Sequence, residues 1–111
     1  MSRVLTLQRF DIRFKRLAKK FKTLTAELAE FSQSLENDPK QGTSLGNGMY
    51  KIRLASESKG AGKSGGFRVI TYYIAEREKE RTIYLVTIYD KSEESSIKKD
   101  YLLKIIKSAL E

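Results

Sequence analysis

Phe10, Phe14, Leu17 and Phe21 step along the chain by four, three and four residues. That spacing draws a single apolar stripe on a helix, with Arg9, Arg13, Arg16, Lys19 and Lys20 on the opposite face. Leu24, Leu28, Phe31 and Leu35 repeat the same steps. Thr23 and Thr25 are candidate caps for this second helix, and Pro39 lies past the point where it must have stopped. The two stripes predict a helical hairpin. Ahead of it, Val4 and Thr6 alternate with Leu5 and Leu7, the pattern of a short strand within 2–8.

After a turn-rich stretch, 38–48, the period changes. In 49–55 Tyr50, Ile52 and Leu54 share one face, while Lys51 and Arg53 share the other, as the strand period of two requires. Residues 67–75 (FRVITYYIA) and 82–91 (TIYLVTIYDK) are rich in β-branched and aromatic side chains and read as strands. The second is apolar on both faces and is therefore expected at the centre of a sheet. A Gly/Ser/Lys loop covers 56–66, and a charged connection covers 76–81. Ile97, Tyr101, Leu102, Ile105, Ile106 and Ala109 form the apolar side of a last helix, with Lys98, Lys99, Lys104 and Lys107 mostly on its other side. The order is strand, helix, helix, three strands, helix. Short connections between consecutive strands favour an antiparallel meander. The expectation is one α+β domain, 1–111, in which the N-terminal helical hairpin packs on an antiparallel β-sheet.

Charge sharpens this picture. The 22 Lys and Arg outnumber the 14 Asp and Glu, for a net charge of +8. Between positions 51 and 68, Lys51, Arg53, Lys59, Lys63 and Arg68 face only Glu57. A small domain with so local an excess suits a polyanionic partner, either nucleic acid or an acidic protein. The chain has no cysteine and no histidine. Disulfides, thiolate chemistry and imidazole acid–base catalysis are thereby excluded, and so are most transition-metal sites. No apolar run approaches the length of a membrane span. The opening residues lack the apolar stretch of a secretory signal, so a cytoplasmic protein is expected.

The stretch Gly60-Ala61-Gly62-Lys63-Ser64 imitates a phosphate-binding loop. That motif needs a glycine at 57, where the chain has Glu57, and a helix afterwards. Instead "GGFRVITYY" follows, which is a strand. No helix N-terminus faces a phosphate, and no nucleotide cofactor is expected. Lys59 and Lys63 instead suit non-specific contact with a polyanion backbone, continuing the edge begun by Lys51 and Arg53.

Three segments in order, "MYKIRLA", "SGGFRVITYYIAE" and "RTIYLVTIYDKSE", resemble toxins of the RelE/ParE superfamily, closest to the RelE and HigB-like branch. The order of elements agrees with that family as well. The resemblance implies the toxin of a type II toxin–antitoxin system. It implies a ribosome-dependent endoribonuclease in which the ribose 2′-hydroxyl attacks the adjacent phosphodiester of mRNA, with no metal and no other cofactor. The implied partners are a cognate antitoxin, mRNA and ribosomal RNA. Matched position by position, Lys51 is a candidate general base or phosphate neutraliser. Arg53 holds charge near the scissile group and Arg68 stabilises the transition state. Lys91 protonates the leaving 5′-oxygen. Tyr89 or Tyr101 is placed to stack on a base. Lysine, tyrosine and arginine can replace histidine in such chemistry when neighbouring cations favour the neutral form of a lysine. Arg68 adds an argument of its own, because a charge inside an apolar strand is costly unless it is paired or faces a ligand. The alternative within the superfamily is a ParE-like toxin that inhibits DNA gyrase without cutting RNA.

Overall fold

The computed structural model describes residues 2–59, 66–77, 80–94 and 96–111, without the side chains of 76 and 77. The elements are β1 (Ser2–Thr6), α1 (Gln8–Lys20), α2 (Leu24–Asn37), β2 (Thr43–Gly46), β3 (Met49–Leu54), β4 (Phe67–Arg77), β5 (Glu80–Asp90) and α3 (Lys99–Leu110). A single turn of 3-10 helix, Glu57–Lys59, follows β3. The five strands form one sheet in the order β1-β5-β4-β3-β2. This is the expected α+β architecture of a helical hairpin on a sheet, with two additions.

The first addition is β2. It turns back into β3 through Asn47 and Gly48, both with positive φ (56° and 81°). An Asn-Gly pair in that conformation is the favoured two-residue hairpin turn, because its twist matches that of the flanking strands. The second is the direction of β1, which pairs with β5 in parallel, whereas the other pairings are antiparallel. The sheet is therefore mixed rather than a pure antiparallel meander. The physical reason is connectivity: β1 and β5 are far apart in the chain, and no tight hairpin constrains their direction. As expected, β5 is interior to the sheet.

The two faces of the sheet are covered by different helices. Phe10, Leu17, Phe21, Leu24, Phe31 and Leu35 of the hairpin region pack on Ile52, Leu54, Phe67, Val69, Ile83, Leu85 and Ile88. Phe21 and Phe67 meet edge to face, with centroids 5.1 Å apart. On the other face, Leu102 and Ile106 of α3 pack with Leu7, Met49, Ile70, Val86 and Tyr89. Leu24 and Leu35 are fully buried, and each such side chain contributes roughly 2 kcal/mol of hydrophobic stabilisation.

Thr23 precedes α2 but makes no side-chain cap. Its Oγ1 instead donates to Ser58 Oγ at 2.8 Å and accepts from the Ser58 N–H at 3.0 Å. Glu27, in the first turn, accepts from Ser56 Oγ at 2.6 Å and from the Glu57 N–H at 2.8 Å. These bonds satisfy the polar groups of 56–58 and tie the segment that leaves β3 to the start of α2.

A bulge in β5 decides what reaches each face. The β4–β5 register shifts between Ile70 and Thr71, so that Ile70 faces Thr87 and Thr71 faces Leu85. One extra residue on β5 reverses the alternation beyond it. Val86 belongs to the α3 face, yet Ile88 belongs to the hairpin face and Tyr89 to the α3 face again.

Candidate functional site

At one end of the sheet three strands carry a transverse row. Arg53 of β3 lies opposite Arg68 of β4, and Arg68 lies opposite Tyr89 of β5. Their neighbours in sequence fix the face. Ile52 and Leu54 flank Arg53, Phe67 and Val69 flank Arg68, and all four enter the core under the helical hairpin. Arg53 and Arg68 are therefore on the α3 side, with Tyr89. Lys51 stands two residues from Arg53 on the same face, opposite Ile70. The sheet thus brings Lys51, Arg53 and Arg68 together.

Arg68 is the unusual member of the row. The residue is only 7% exposed. Its Nη1 donates to the Phe67 carbonyl at 3.3 Å. Among the described residues the ion pairs are Arg13–Glu94 and Lys59–Asp90, and neither involves it. Its cross-strand neighbour is another arginine. Like charges directly opposite each other are destabilising, and a buried cation without a counter-charge costs several kcal/mol. A bound anion beside this row would offset that cost. Arg53 is exposed and Lys51 half-buried, so this end of the row opens to solvent.

Tyr89 is 2% exposed and packs in the α3-side core. The structure corrects its expected role: a ring so enclosed has no free face on which a base could stack. Burial raises its pKa, the charge of Arg68 partly opposes that, and Glu94 adds to the rise. The phenol is therefore protonated at neutral pH and is not a base. Tyr101, the other tyrosine weighed, is 42% exposed on α3, with the Arg9 guanidinium 4.9 Å from its ring centre.

Lys91 is exposed and lies one residue beyond β5. Its N–H donates to the Gly66 carbonyl at 3.3 Å, which holds it beside the start of β4, next to the row. Lys59 departs from expectation. It does not extend the basic edge of Lys51 and Arg53. Its Nζ meets Asp90 Oδ1 at 2.5 Å and lies 5.6 Å from the ring centres of both Phe21 and Phe67. Those rings belong to the hairpin-side core. Lys63 lies outside the described residues.

The sequence reading missed Asp90. It is 5% exposed and its carboxylate accepts from Lys59, from the Ser92 N–H at 2.9 Å and from Ser92 Oγ at 2.7 Å. Burial raises its pKa, but the bonds from Lys59 and Ser92 outweigh that and hold the carboxyl below its ordinary value. A carboxylate followed by lysine and serine at the end of a strand was the only sign in the sequence. Arg13 and Glu94, 2.6 Å apart, join α1 to the segment after β5 and were likewise not foreseen as a pair. A cavity of about 430 Å³ between α1 and α3 is lined by Leu7, Arg9, Tyr101 and Lys104 among others. It contains none of Lys51, Arg53, Arg68 and Lys91, so this cavity and the cationic row are separate features.

Among the described residues, no group of three or more Asp and Glu side chains is arranged to hold a metal ion, and no helix is long and apolar enough to cross a membrane. Compared with protein-family models, residues 9–110 match the one described as the RelE toxin of the RelE/RelB toxin–antitoxin system.

Proposed function

Since the chain belongs to the RelE toxin family, we propose that it is a ribosome-dependent endoribonuclease that cuts mRNA and stops translation. The observation that carries this reading is the buried Arg68 set opposite Arg53, two like charges on neighbouring strands that an anion would compensate. A phosphodiester supplies that anion, and its charge grows in the transition state, where fixed guanidinium forks act most strongly.

The 2′-oxygen attacks the adjacent phosphorus and loses its proton, and the bond from phosphorus to the 5′-oxygen breaks. The products are a 2′,3′-cyclic phosphate and a 5′-hydroxyl. Arg53 and Arg68 hold the non-bridging oxygens. Lys51, on the same face, takes the 2′-hydroxyl proton or neutralises a phosphate oxygen. Lys91, at the end of the row, delivers a proton to the leaving 5′-oxygen. The ribosome presents the strand in its A site, and the basic surface of the protein contacts ribosomal RNA with the steep salt dependence of any phosphate-binding surface. A RelB-type antitoxin silences the protein by covering the positive face with an acidic segment.

Primer extension on transcripts after induced expression tests the reading. Wild type is expected to leave codon-registered cuts, and the Lys51/Arg53/Arg68 triple alanine variant none. Intact transcripts together with broken DNA would instead identify a gyrase poison, and uncut transcripts with intact DNA would refute both.

A further inference from the structure

Asp90 sits one residue beyond Tyr89 and so on the opposite face of the sheet, and the β5 bulge makes that the face of Phe67 and the helical hairpin. Its surroundings form a clamp. Lys59 reaches Asp90 Oδ1 at 2.5 Å from the end of the segment that leaves β3. The same oxygen accepts from both the N–H and the Oγ of Ser92, which closes a side-chain turn around residue 91. The Asp90 carbonyl accepts from the N–H groups of Glu93 and Glu94 at 3.0 Å each. The Lys91 N–H is itself bonded to the Gly66 carbonyl. Lys91 is thus the central residue of a turn held by bonds on both sides, although its own side chain is exposed. The clamp's lysine is largely buried too, with its side chain 13% exposed, and its Nζ lies 5.6 Å from the ring centres of Phe21 and Phe67.

An exposed lysine on a loose turn samples many positions, and proton delivery to a leaving oxygen requires one. We propose that the Lys59–Asp90 pair is a positioning device that fixes the backbone of the 90–94 turn, so that Lys91 meets the leaving 5′-oxygen. The proposal rests on the endoribonuclease reading and on the proton-donor role of Lys91. It makes Asp90 and Lys59 positioning residues, since neither lies on the face that carries Arg53 and Arg68.

The test is single-turnover cleavage of mRNA bound to programmed ribosomes, as a function of toxin concentration, with thermal melts run beside it. Asp90→Asn keeps the size of the side chain and removes its charge. It is expected to lower the cleavage rate at saturating toxin by about tenfold to a hundredfold, the loss typical of a slightly misplaced group. The half-saturating toxin concentration should stay within about twofold, because RNA contacts are untouched. Lys59→Met breaks the clamp from its other side and should lose rate in the same way, and Lys59→Arg should restore most of it. The decisive comparison is with Lys91→Ala. If Asp90 acts through Lys91, the Asp90→Asn/Lys91→Ala double variant cuts no more slowly than Lys91→Ala alone. Losses that multiply would overturn the proposal. So would a wild-type rate in Asp90→Asn, or a loss confined to the half-saturating concentration. Should Asp90→Asn fail to fold, the Lys59→Met and Lys59→Arg pair with Lys91→Ala carries the same comparison. Failure of the wild-type protein to cut any ribosome-bound mRNA would remove the underlying reading itself, a result distinct from each of these.

Discussion

Replacing Arg68 with methionine is expected to slow cleavage severely and, at the same time, to stabilise the fold. Arg68 is buried and faces Arg53 across the β3–β4 ladder. Methionine fills a similar volume without the charge and suits an apolar strand interior. It removes both the desolvation cost of the guanidinium and its repulsion with Arg53, so unfolding in urea should need about 1 kcal/mol more free energy. Loss of a fixed donor aimed at the developing phosphorane charge should slow cleavage by about 10² to 10³-fold. Opposite signs for stability and activity mark a residue kept for function. A methionine variant that cuts at the wild-type rate would remove Arg68 from the site. A variant that unfolds much more easily than wild type would show that the guanidinium is structural.

The second large effect lies in the backbone below the site. Gly42 has φ of +89°, and a Cβ added there meets the Lys51 carbonyl oxygen and comes within 2.7 Å of Ile52 Cγ1. Any L-residue is strained at that φ, and the obstruction is the backbone of β3 itself. Gly42→Ala is therefore expected to cost about 3 kcal/mol, combining the left-handed penalty with displacement of the strand. Gly46 is the natural control. Its φ is +85°, but its added Cβ meets only the end of the Lys99 side chain, which can move aside. Gly46→Ala should cost about 1 kcal/mol. Denaturant midpoints of the two variants make the comparison. Equal losses would show that φ alone matters and that the contact with β3 does not.

Much of this arrangement was legible in the chain because it rests on local period. The steps of four and three placed Phe10, Leu17, Leu24, Phe31 and Leu35 inside, and all are buried. Alternation set Lys51 and Arg53 against Tyr50, Ile52 and Leu54, and the β3–β4 register then put Arg53 opposite Arg68. What stayed illegible depends on partners distant in sequence. Nothing in "SRVLT" announces a parallel partner, and Arg3 finds its contact at Thr82. The bulge leaves no trace in "TIYLVTIYDK", whose apolar residues occupy both faces in any case. Unbroken alternation would place Asp90 on the face of Val86, whereas it lies on that of Phe67, its partner in the ladder. Lys59 looked like a loop cation free to contact a polyanion because its counter-charge is 31 residues away. The row of cations could thus be read from strand patterns, and the clamp behind it could not.

The most direct measurement uses ribosome-bound mRNA carrying one 2′-deoxynucleotide immediately 5′ of the scissile phosphate. If fixed cations only assist attack by the strand's own hydroxyl, purified wild-type protein will fail to cut at that phosphate and will cut the matching all-ribose message there. Cleavage at the deoxy position at an undiminished rate would mean that some other nucleophile breaks the bond, and the proposed roles of Lys51, Arg53, Arg68 and Lys91 would be contradicted.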